Sequence, residues 1–146
     1  MSIIAIGNPG RGKSTLLNCF AGDNYFESGA CTRGGLTVST NEKEIDGITY
    51  IDNPGIADQK LREEACRGIT ASLRKGGYHK ILFITGTTAM RPVDECIVTM
   101  QGVLDAVPEI GKNFGIIVNK LSPVEMKKFE EKPSKQKEFI SIFRKV

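Results

Sequence analysis

Residues 7–14 of this 146-residue chain read GNPGRGKS, and we expect this stretch to decide the fold. It matches the pattern G-x-x-x-x-G-K-[ST], in which glycines let successive backbone N–H groups curve around an anion. An apolar run at residues 2–6 precedes the loop, and residues 13–21 have helical spacing of apolar side chains. The alternative, an accidental glycine-rich turn, does not explain this order of strand, loop and helix. The pattern therefore predicts a loop that binds the phosphates of a nucleotide.

The residue types in this loop predict individual roles. Lys13 is expected to reach the outer phosphates and to act in catalysis, and Ser14 is expected to offer its hydroxyl to Mg²⁺. We expect the nucleotide to be contacted by eight consecutive residues: Asn8, Pro9, Gly10, Arg11, Gly12, Lys13, Ser14 and Thr15.

Outward from the loop, glycine and proline separate an alternation of strands and helices. Strands are predicted at residues 2–6, 36–45, 48–52, 80–85 and 114–119, and helices at 13–21, 59–75 and 92–106. Asp46-Gly47 predicts an antiparallel hairpin, and a charged helical stretch after residue 122 is interrupted at Pro133. This alternation predicts an α/β domain with a largely parallel sheet, whose ligands bind at the carboxyl ends of the strands.

Length and composition exclude several classes of protein. A chain of 146 residues with 40% hydrophobic and 25% charged residues fits one soluble domain, and no run of 18 apolar residues is present to cross a membrane. Four cysteines without a C-x-x-C pair, and one histidine, argue against a zinc site and predict a cytoplasmic protein with reduced thiols. Residues 120–146 carry eight basic and four acidic side chains, a small excess that is typical of a solvated helix face, so no nucleic-acid partner is predicted.

A second motif follows the predicted hairpin, where residues 52–55 read DNPG. A carboxylate at Asp52 can hold Mg²⁺ through water, and the Gly55 N–H can sense a γ-phosphate. An ordinary strand-ending turn has the same sequence. The phosphate loop about 40 residues upstream favours the metal and phosphate interpretation.

A threonine between the first helix and the hairpin is the third candidate. Thr37 is predicted to close onto Mg²⁺ when the γ-phosphate is present, and it therefore joins the catalytic and metal-binding sets. Thr32, Ser39 and Thr40 are rivals for this role, and threonine is also common in strands for packing reasons.

The fourth motif is NKLS at residues 119–122, at the end of the last predicted strand. Asn119 and the stem of Lys120 are expected to frame a purine ring. A guanine reader needs an acceptor carboxylate two residues after the lysine, where Ser122 offers one hydroxyl, so discrimination between bases should weaken. The alternative is a polar strand end without a ligand.

The order of these four motifs resembles the G domain of Ras-like GTPases. Residues 51–58, IDNPGIAD, are similar to a segment of the immunity-associated GTPases, a group related to septins and chloroplast import receptors. Further similarities lie at residues 26–28, 34–37 and 80–114, and the resemblance covers about residues 2–122. It implies a single three-layer P-loop G domain over residues 1–146, a mostly parallel sheet with an antiparallel edge hairpin, bound GTP or GDP, Mg²⁺, and GTP hydrolysis.

Three departures from this family pattern qualify the implied activity: two substitutions, at Asn53 and Ser122, and the missing fifth motif described below. Asn53 replaces the usual threonine, which we expect to matter little, and Ser122 replaces an acidic residue. After Gly55 this chain has Ile56, where Ras-like proteins have a glutamine. The immunity-associated GTPases share this apolar substitution. The resemblance therefore implies slow hydrolysis, or a catalytic group supplied by a partner or by a homodimer across the nucleotide face.

A fifth motif, the base-contacting loop after a sixth strand, is not found before Val146. We therefore expect either a fragment truncated at its C-terminus or a domain without the last strand; only extensions beyond this chain would bring it to a membrane. Two alternatives remain open, an ATP-binding P-loop NTPase and a non-hydrolysing module whose dimerisation depends on nucleotide.

Overall fold

A five-stranded sheet with helices on both faces forms the domain. The computed structural model describes residues 1–29, 39–56, 59–74 and 76–143. Its strands are β1 (Ser2–Ile6), β2 (Asn41–Ile45), β3 (Ile48–Asp52), β4 (His79–Thr85), β5 (Thr87–Thr88), β6 (Arg91–Pro92) and β7 (Phe114–Val118). Its helices are α1 (Lys13–Ala21), α2 (Gln59–Arg74), α3 (Asp94–Ala106), α4 (Pro123–Glu131) and α5 (Pro133–Phe143), with a 3₁₀ turn at Pro108–Ile110.

The sheet has the strand order β2-β3-β1-β4-β7. Strand β1 pairs in parallel with β3 and β4, and β4 pairs in parallel with β7. Only β2 is antiparallel, joined to β3 by the predicted turn, in which Asp46 and Gly47 have φ of 51° and 75°. Because β1, β3, β4 and β7 run in the same direction, the segments that follow them meet at one edge of the sheet. The predicted fold class is therefore confirmed.

Two apolar clusters hold the helices against the sheet. On one face, Ile4 and Phe83 pack with Ile69 of α2 and Val103 of α3. On the other face, Ala5 and its neighbours pack against Leu17 of α1. Each fully buried Leu, Ile or Phe side chain contributes about 1.5–3 kcal/mol, so these clusters fix the direction in which the strand ends point.

The structure corrects the predicted start of α3. The helix begins at Asp94 rather than Pro92, because Pro92 pairs with Thr87 in a small antiparallel hairpin, β5–β6, that the sequence did not reveal. The turn of this hairpin contains Ala89 and Met90, both with positive φ, of 51° and 64°. Neither residue type signals such a turn, since glycine or asparagine usually occupies these positions.

Most other boundaries agree with the prediction. Strand β4 begins one residue earlier, at His79, and β7 ends at Val118. Strand β2 begins at Asn41, so the predicted second strand is wrong at residues 39–40, which precede the strand. Its predicted residues 36–38, and the predicted end of α2 at residue 75, lie outside the described residues. Across the described ranges, no helix is both long enough and apolar enough to cross a membrane.

Candidate functional site

The phosphate loop connects β1 to α1 and is shaped by glycine. Gly12 stands directly before α1 with φ of 86°, a left-handed conformation that side chains with a Cβ adopt at a cost. A Cβ at Gly12 would also lie 2.5 Å from the Asn119 Nδ2 atom. The loop can therefore curve tightly and receive the segment after β7 only because this residue is glycine.

Lys13 lies buried at the start of α1, with 6% of its surface exposed. Its Nζ atom donates to the carbonyl oxygen of Gly7 at 3.1 Å and to that of Asn8 at 3.4 Å. Burial lowers the pKa of Lys13, and the nearby Asp52 carboxylate opposes this shift. An anion bound in the loop would relieve the cost of burying this ammonium group.

Ser14 and Asp52, both predicted to act at the metal, lie side by side. The Ser14 hydroxyl donates to Asp52 Oδ2 at 2.6 Å, although 38 residues separate them. Asp52 is almost fully buried at the end of β3, next to β1 and the loop. A hydroxyl and a carboxylate are the hard oxygen donors that Mg²⁺ prefers when phosphates complete its coordination, so this pair fits the ion.

Gly55 packs directly on the phosphate loop. A Cβ at Gly55 would overlap the ring of Pro9. The backbone after β3 therefore approaches the loop as closely as a glycine permits. The contact of the Gly55 N–H with a γ-phosphate stays a prediction. Ile56 follows with no exposed surface and belongs to the apolar core.

Asn53 has a structural role that the sequence did not predict. The side chain is fully buried, and its Nδ2 atom donates to the Ala5 carbonyl oxygen at 3.2 Å. Its Oδ1 atom accepts from the Thr40 hydroxyl at 3.2 Å. A Cβ at Gly68 of α2 would lie only 3.3 Å from that hydroxyl. Asn53 therefore connects β1 to the segment before β2, and α2 packs closely against both.

Replacing Asn53 with alanine should destabilise the domain. The change leaves the buried Ala5 carbonyl without this donor, which costs about 1–3 kcal/mol. Urea unfolding measures the effect, and Asn113→Ala, at an exposed position, is the matched control. Equal free energies of unfolding for the two variants would contradict the connecting role of Asn53.

Thr37 lies outside the described residues, as does its rival Thr32. Of the other two rivals, Ser39 is exposed and Thr40 is engaged with Asn53. Thr15 is exposed on α1, one residue beyond Ser14. The metal and catalytic roles of Thr37 therefore stay predictions.

Asn119 joins the segment after β7 to the phosphate loop. Its Nδ2 atom donates to the Arg11 carbonyl oxygen at 2.9 Å, and its backbone N–H donates to the Thr85 carbonyl oxygen at 2.9 Å. Lys120 is exposed, has φ of 59°, and places its Cε atom 4.0 Å from where a Cβ of Gly12 would be. The structure thus brings the fourth motif onto the first, as a purine-framing role requires.

Ser122 has a different role from the one its sequence position suggested. It caps the N-terminus of α4 in a capping box, accepting from the Glu125 N–H at 3.2 Å while its own hydroxyl donates to Glu125 Oε2 at 2.8 Å. Helix α4 thus begins only three residues after Lys120. The Ser122 hydroxyl is thus engaged with the helix, and its predicted contact with a base stays a prediction.

Glu125 is the functional candidate that the sequence analysis missed. Besides Ser122, its carboxylate accepts from the Thr87 hydroxyl at 2.9 Å and from the Met90 N–H at 3.1 Å. The Ser122 backbone N–H, followed by the Ser122 hydroxyl and the other two donors, lowers the pKa of Glu125 to about 2. The S-x-x-E spacing of a capping box was a usable signal for the pair with Ser122, whereas nothing local predicted the contacts with the hairpin.

A cavity and two cysteines lie apart from this site, whereas Cys96 accepts from the Asn8 Nδ2 atom of the phosphate loop at 3.8 Å. A cavity of about 650 Å³ opens between the amino ends of β4 and β7, beside His79 and Phe114, and is lined by none of the predicted site residues. No group of three or more His, Cys, Asp or Glu side chains suited to a metal occurs within the described ranges. Cys19, Cys66 and Cys96 are free thiols.

Comparison with protein families decides the class. The family model described as 50S ribosome-binding GTPase matches residues 2–120, which include the first three candidates and Asn119 and Lys120 of the fourth motif. The chain belongs to this GTPase family. A search of curated proteins finds no match for this GTPase.

A solved structure with low sequence identity shares the fold of this chain. A dimerisation-deficient mutant of Toc33 from Arabidopsis thaliana aligns with a TM-score of 0.65 and 15% identity, covering 99% of this chain and 62% of that one. Toc33 with GDP and Mg²⁺ gives 0.43 and 14%, covering 81% and 69%. A probable GTP-binding protein, engB, gives 0.47 and 16% over the whole of both chains. The chain thus spans less than two thirds of the first Toc33 structure.

Proposed function

We propose that this domain is a GTP-binding switch that hydrolyses GTP slowly on its own. The observation that carries the proposal is that Lys13, Ser14 and Asp52 meet at one glycine-rich loop. The Lys13 Nζ atom donates to the Gly7 carbonyl oxygen, and the Ser14 hydroxyl lies 2.6 Å from Asp52 Oδ2. Membership of a GTPase family supports guanine nucleotide as the ligand. The subgroup of immunity-associated GTPases remains a proposal based on residues 51–58.

Each site residue then has a proposed task. Lys13 would neutralise the outer phosphates, and the backbone N–H groups of the loop residues from Asn8 to Thr15 other than Pro9, which has none, would cradle them. Ser14 would hold Mg²⁺ directly and Asp52 through water, with Thr37 joining them in the triphosphate state. Bound Mg²⁺ would supply neutralisation of charge that develops between the β- and γ-phosphates. Gly55, packed on Pro9, would donate its N–H to the γ-phosphate.

Slow hydrolysis is proposed because the residue after Gly55 cannot position water. The Ile56 side chain is fully buried and apolar, so it has neither a polar atom nor access to solvent with which to orient water. A partner or a second copy of the chain across the nucleotide face would then complete the catalytic site. The Toc33 structure of a dimerisation-deficient mutant makes a homodimer a natural arrangement to test.

Titration calorimetry with Mg²⁺ and GDP, GTP, ADP or ATP tests the proposed ligand. We expect guanine nucleotides to bind at least about tenfold more tightly, or about 1.4 kcal/mol. Phosphate release and light scattering with GTP then test turnover and dimerisation. Failure of all four nucleotides to bind would refute the proposal.

An ATP-binding NTPase is the second candidate, favoured by the state of Ser122 and Glu125. Ser122 has no carboxylate, and the described hydrogen bonds of the Glu125 carboxylate go to Ser122 or to the β5–β6 hairpin. The pair therefore offers no carboxylate to the guanine edge. Equal or tighter binding of ATP in the same titration would make this candidate the better one. Nucleotide-dependent dimerisation without phosphate release would favour the non-hydrolysing module.

A further inference from the structure

The Glu125 carboxylate joins two chain segments on the side of the site where a base would bind. None of its described hydrogen bonds goes to the phosphate loop. The Glu125 Oε1 atom accepts from the Thr87 hydroxyl and the Met90 N–H of the β5–β6 hairpin. The Oε2 atom accepts from the backbone N–H of Ser122 at 3.0 Å and from its hydroxyl. One side chain therefore joins the extension of β4 to the extension of β7.

These two extensions flank the place where a purine would lie. Gly86, between β4 and the hairpin, packs so closely on Arg11 that a Cβ would lie 2.9 Å from the Arg11 Nη1 atom. Asn119, at the start of the other extension, bonds the Arg11 carbonyl oxygen. A single surface is thus formed by Arg11, Gly86 and Asn119. Glu125 accepts hydrogen bonds from the chain segments on both sides of this surface.

The two segments that Glu125 joins contain backbone conformations that are unfavourable unless hydrogen bonds hold them. Ala89 and Met90 in the hairpin turn, and Lys120 before the cap, all have positive φ. A non-glycine residue in this region costs about 1–2 kcal/mol, so such conformations persist where the surroundings fix them. Glu125 accepts from Met90 itself and from Ser122, two residues after Lys120.

We propose that Glu125 is the positioning residue for the nucleoside half of the ligand, holding Lys120 and the β5–β6 hairpin in place for the base while leaving the phosphates to the loop. This inference rests on the proposed function, because it needs a nucleotide whose base lies beside Asn119 and Lys120. Glu125 itself does not touch the ligand. Its loss should reduce the part of the affinity that the nucleoside supplies.

The test compares GTP with inorganic tripolyphosphate, which has the phosphates but no nucleoside. Glu125→Ala is expected to weaken Mg²⁺·GTP binding by about tenfold, or about 1.4 kcal/mol, and to change tripolyphosphate binding by less than about twofold. Glu130→Ala is the matched control, since Glu130 is exposed on the same helix and carries the same charge. We expect this control to bind both ligands as the unaltered chain does.

A smaller change covers the case in which Glu125→Ala does not fold. Thr87→Val removes one donor to the carboxylate, and Thr87→Ser keeps it. We expect a selective loss of GTP affinity in the valine variant and recovery in the serine variant. Equal losses for GTP and tripolyphosphate, or no loss of either, would overturn the positioning role.

The outcome for the unaltered chain separates the two proposals. If it binds GTP no better than tripolyphosphate, the proposed nucleotide function fails, and the positioning role fails with it. If it prefers GTP and the Glu125 and Thr87 variants keep that preference, only the positioning role fails.

Discussion

Replacing Lys13 with methionine should weaken Mg²⁺·GTP binding by about 100-fold, or about 2.8 kcal/mol. The ammonium group lies buried in the loop, with its donors directed at two loop carbonyls, so it is already placed where phosphate oxygens would approach. Methionine keeps the length of the side chain and removes the charge. Titration calorimetry measures the affinity, with Lys80→Met, at an exposed position in β4, as the control.

The stability of the Lys13→Met variant separates a binding defect from a folding defect. Loss of two hydrogen bonds is offset by relief from burying a charge, so the free energy of unfolding at neutral pH should change by less than about 1 kcal/mol. A variant that is folded and still binds Mg²⁺·GTP tightly would refute the phosphate-binding role of Lys13.

The pH dependence of stability gives a further expectation for the same pair of proteins. Because burial lowers the pKa of Lys13 below its usual 10.5, the folded chain binds fewer protons there than the unfolded chain as the pH approaches 10.5. Stability therefore rises with pH in that window in the unaltered protein relative to Lys13→Met. The difference between their urea midpoints, followed from neutral to alkaline pH, measures this contribution, and a constant difference would contradict it.

Replacing Asp52 with asparagine should reduce the dependence of nucleotide binding on Mg²⁺. Asparagine retains an oxygen that can accept the Ser14 hydroxyl, but it loses the charge that would hold the hydrated ion. We expect the ratio of GTP affinities with Mg²⁺ and with EDTA to fall by about tenfold in this variant. The effect should be large because this carboxylate is buried and so is little screened by solvent.

Asp46→Asn is the control for this experiment. Asp46 is exposed in the turn between β2 and β3, in a positive-φ conformation that asparagine tolerates well. Its Mg²⁺ dependence should equal that of the unaltered chain. If Asp52→Asn keeps the full Mg²⁺ dependence, Asp52 does not act at the metal.

The sequence predicted the parts of the fold that depend on local patterns. The bounds of β1 and α1 follow from an apolar run, a glycine-rich loop and the stop at Gly22. The β2–β3 hairpin follows from Asp46-Gly47. The β5–β6 hairpin was missed because its strands have two residues each and its turn lacks glycine.

Residues of the candidate site could be predicted only where a sequence motif assigns a single role to a position. Ser14 and Asp52 could be named from spacing, and the structure brings them together. The partners of Asn53 and of Glu125 lie far away in sequence, and their contacts depend on how the strand ends are arranged. The capping role of Ser122 was also not predicted, because attention to its place after Lys120 suggested only a contact with the base.

The close packing of Pro9 on Gly55 limits how this domain can be altered. The proline ring occupies the volume that any side chain at position 55 would need, and proline has no N–H with which to adjust the loop. The two positions are therefore dependent on each other in protein engineering. A larger residue at 55 becomes sterically feasible only after position 9 has been made smaller, so single substitutions screened one at a time would miss every viable combination with a larger residue there.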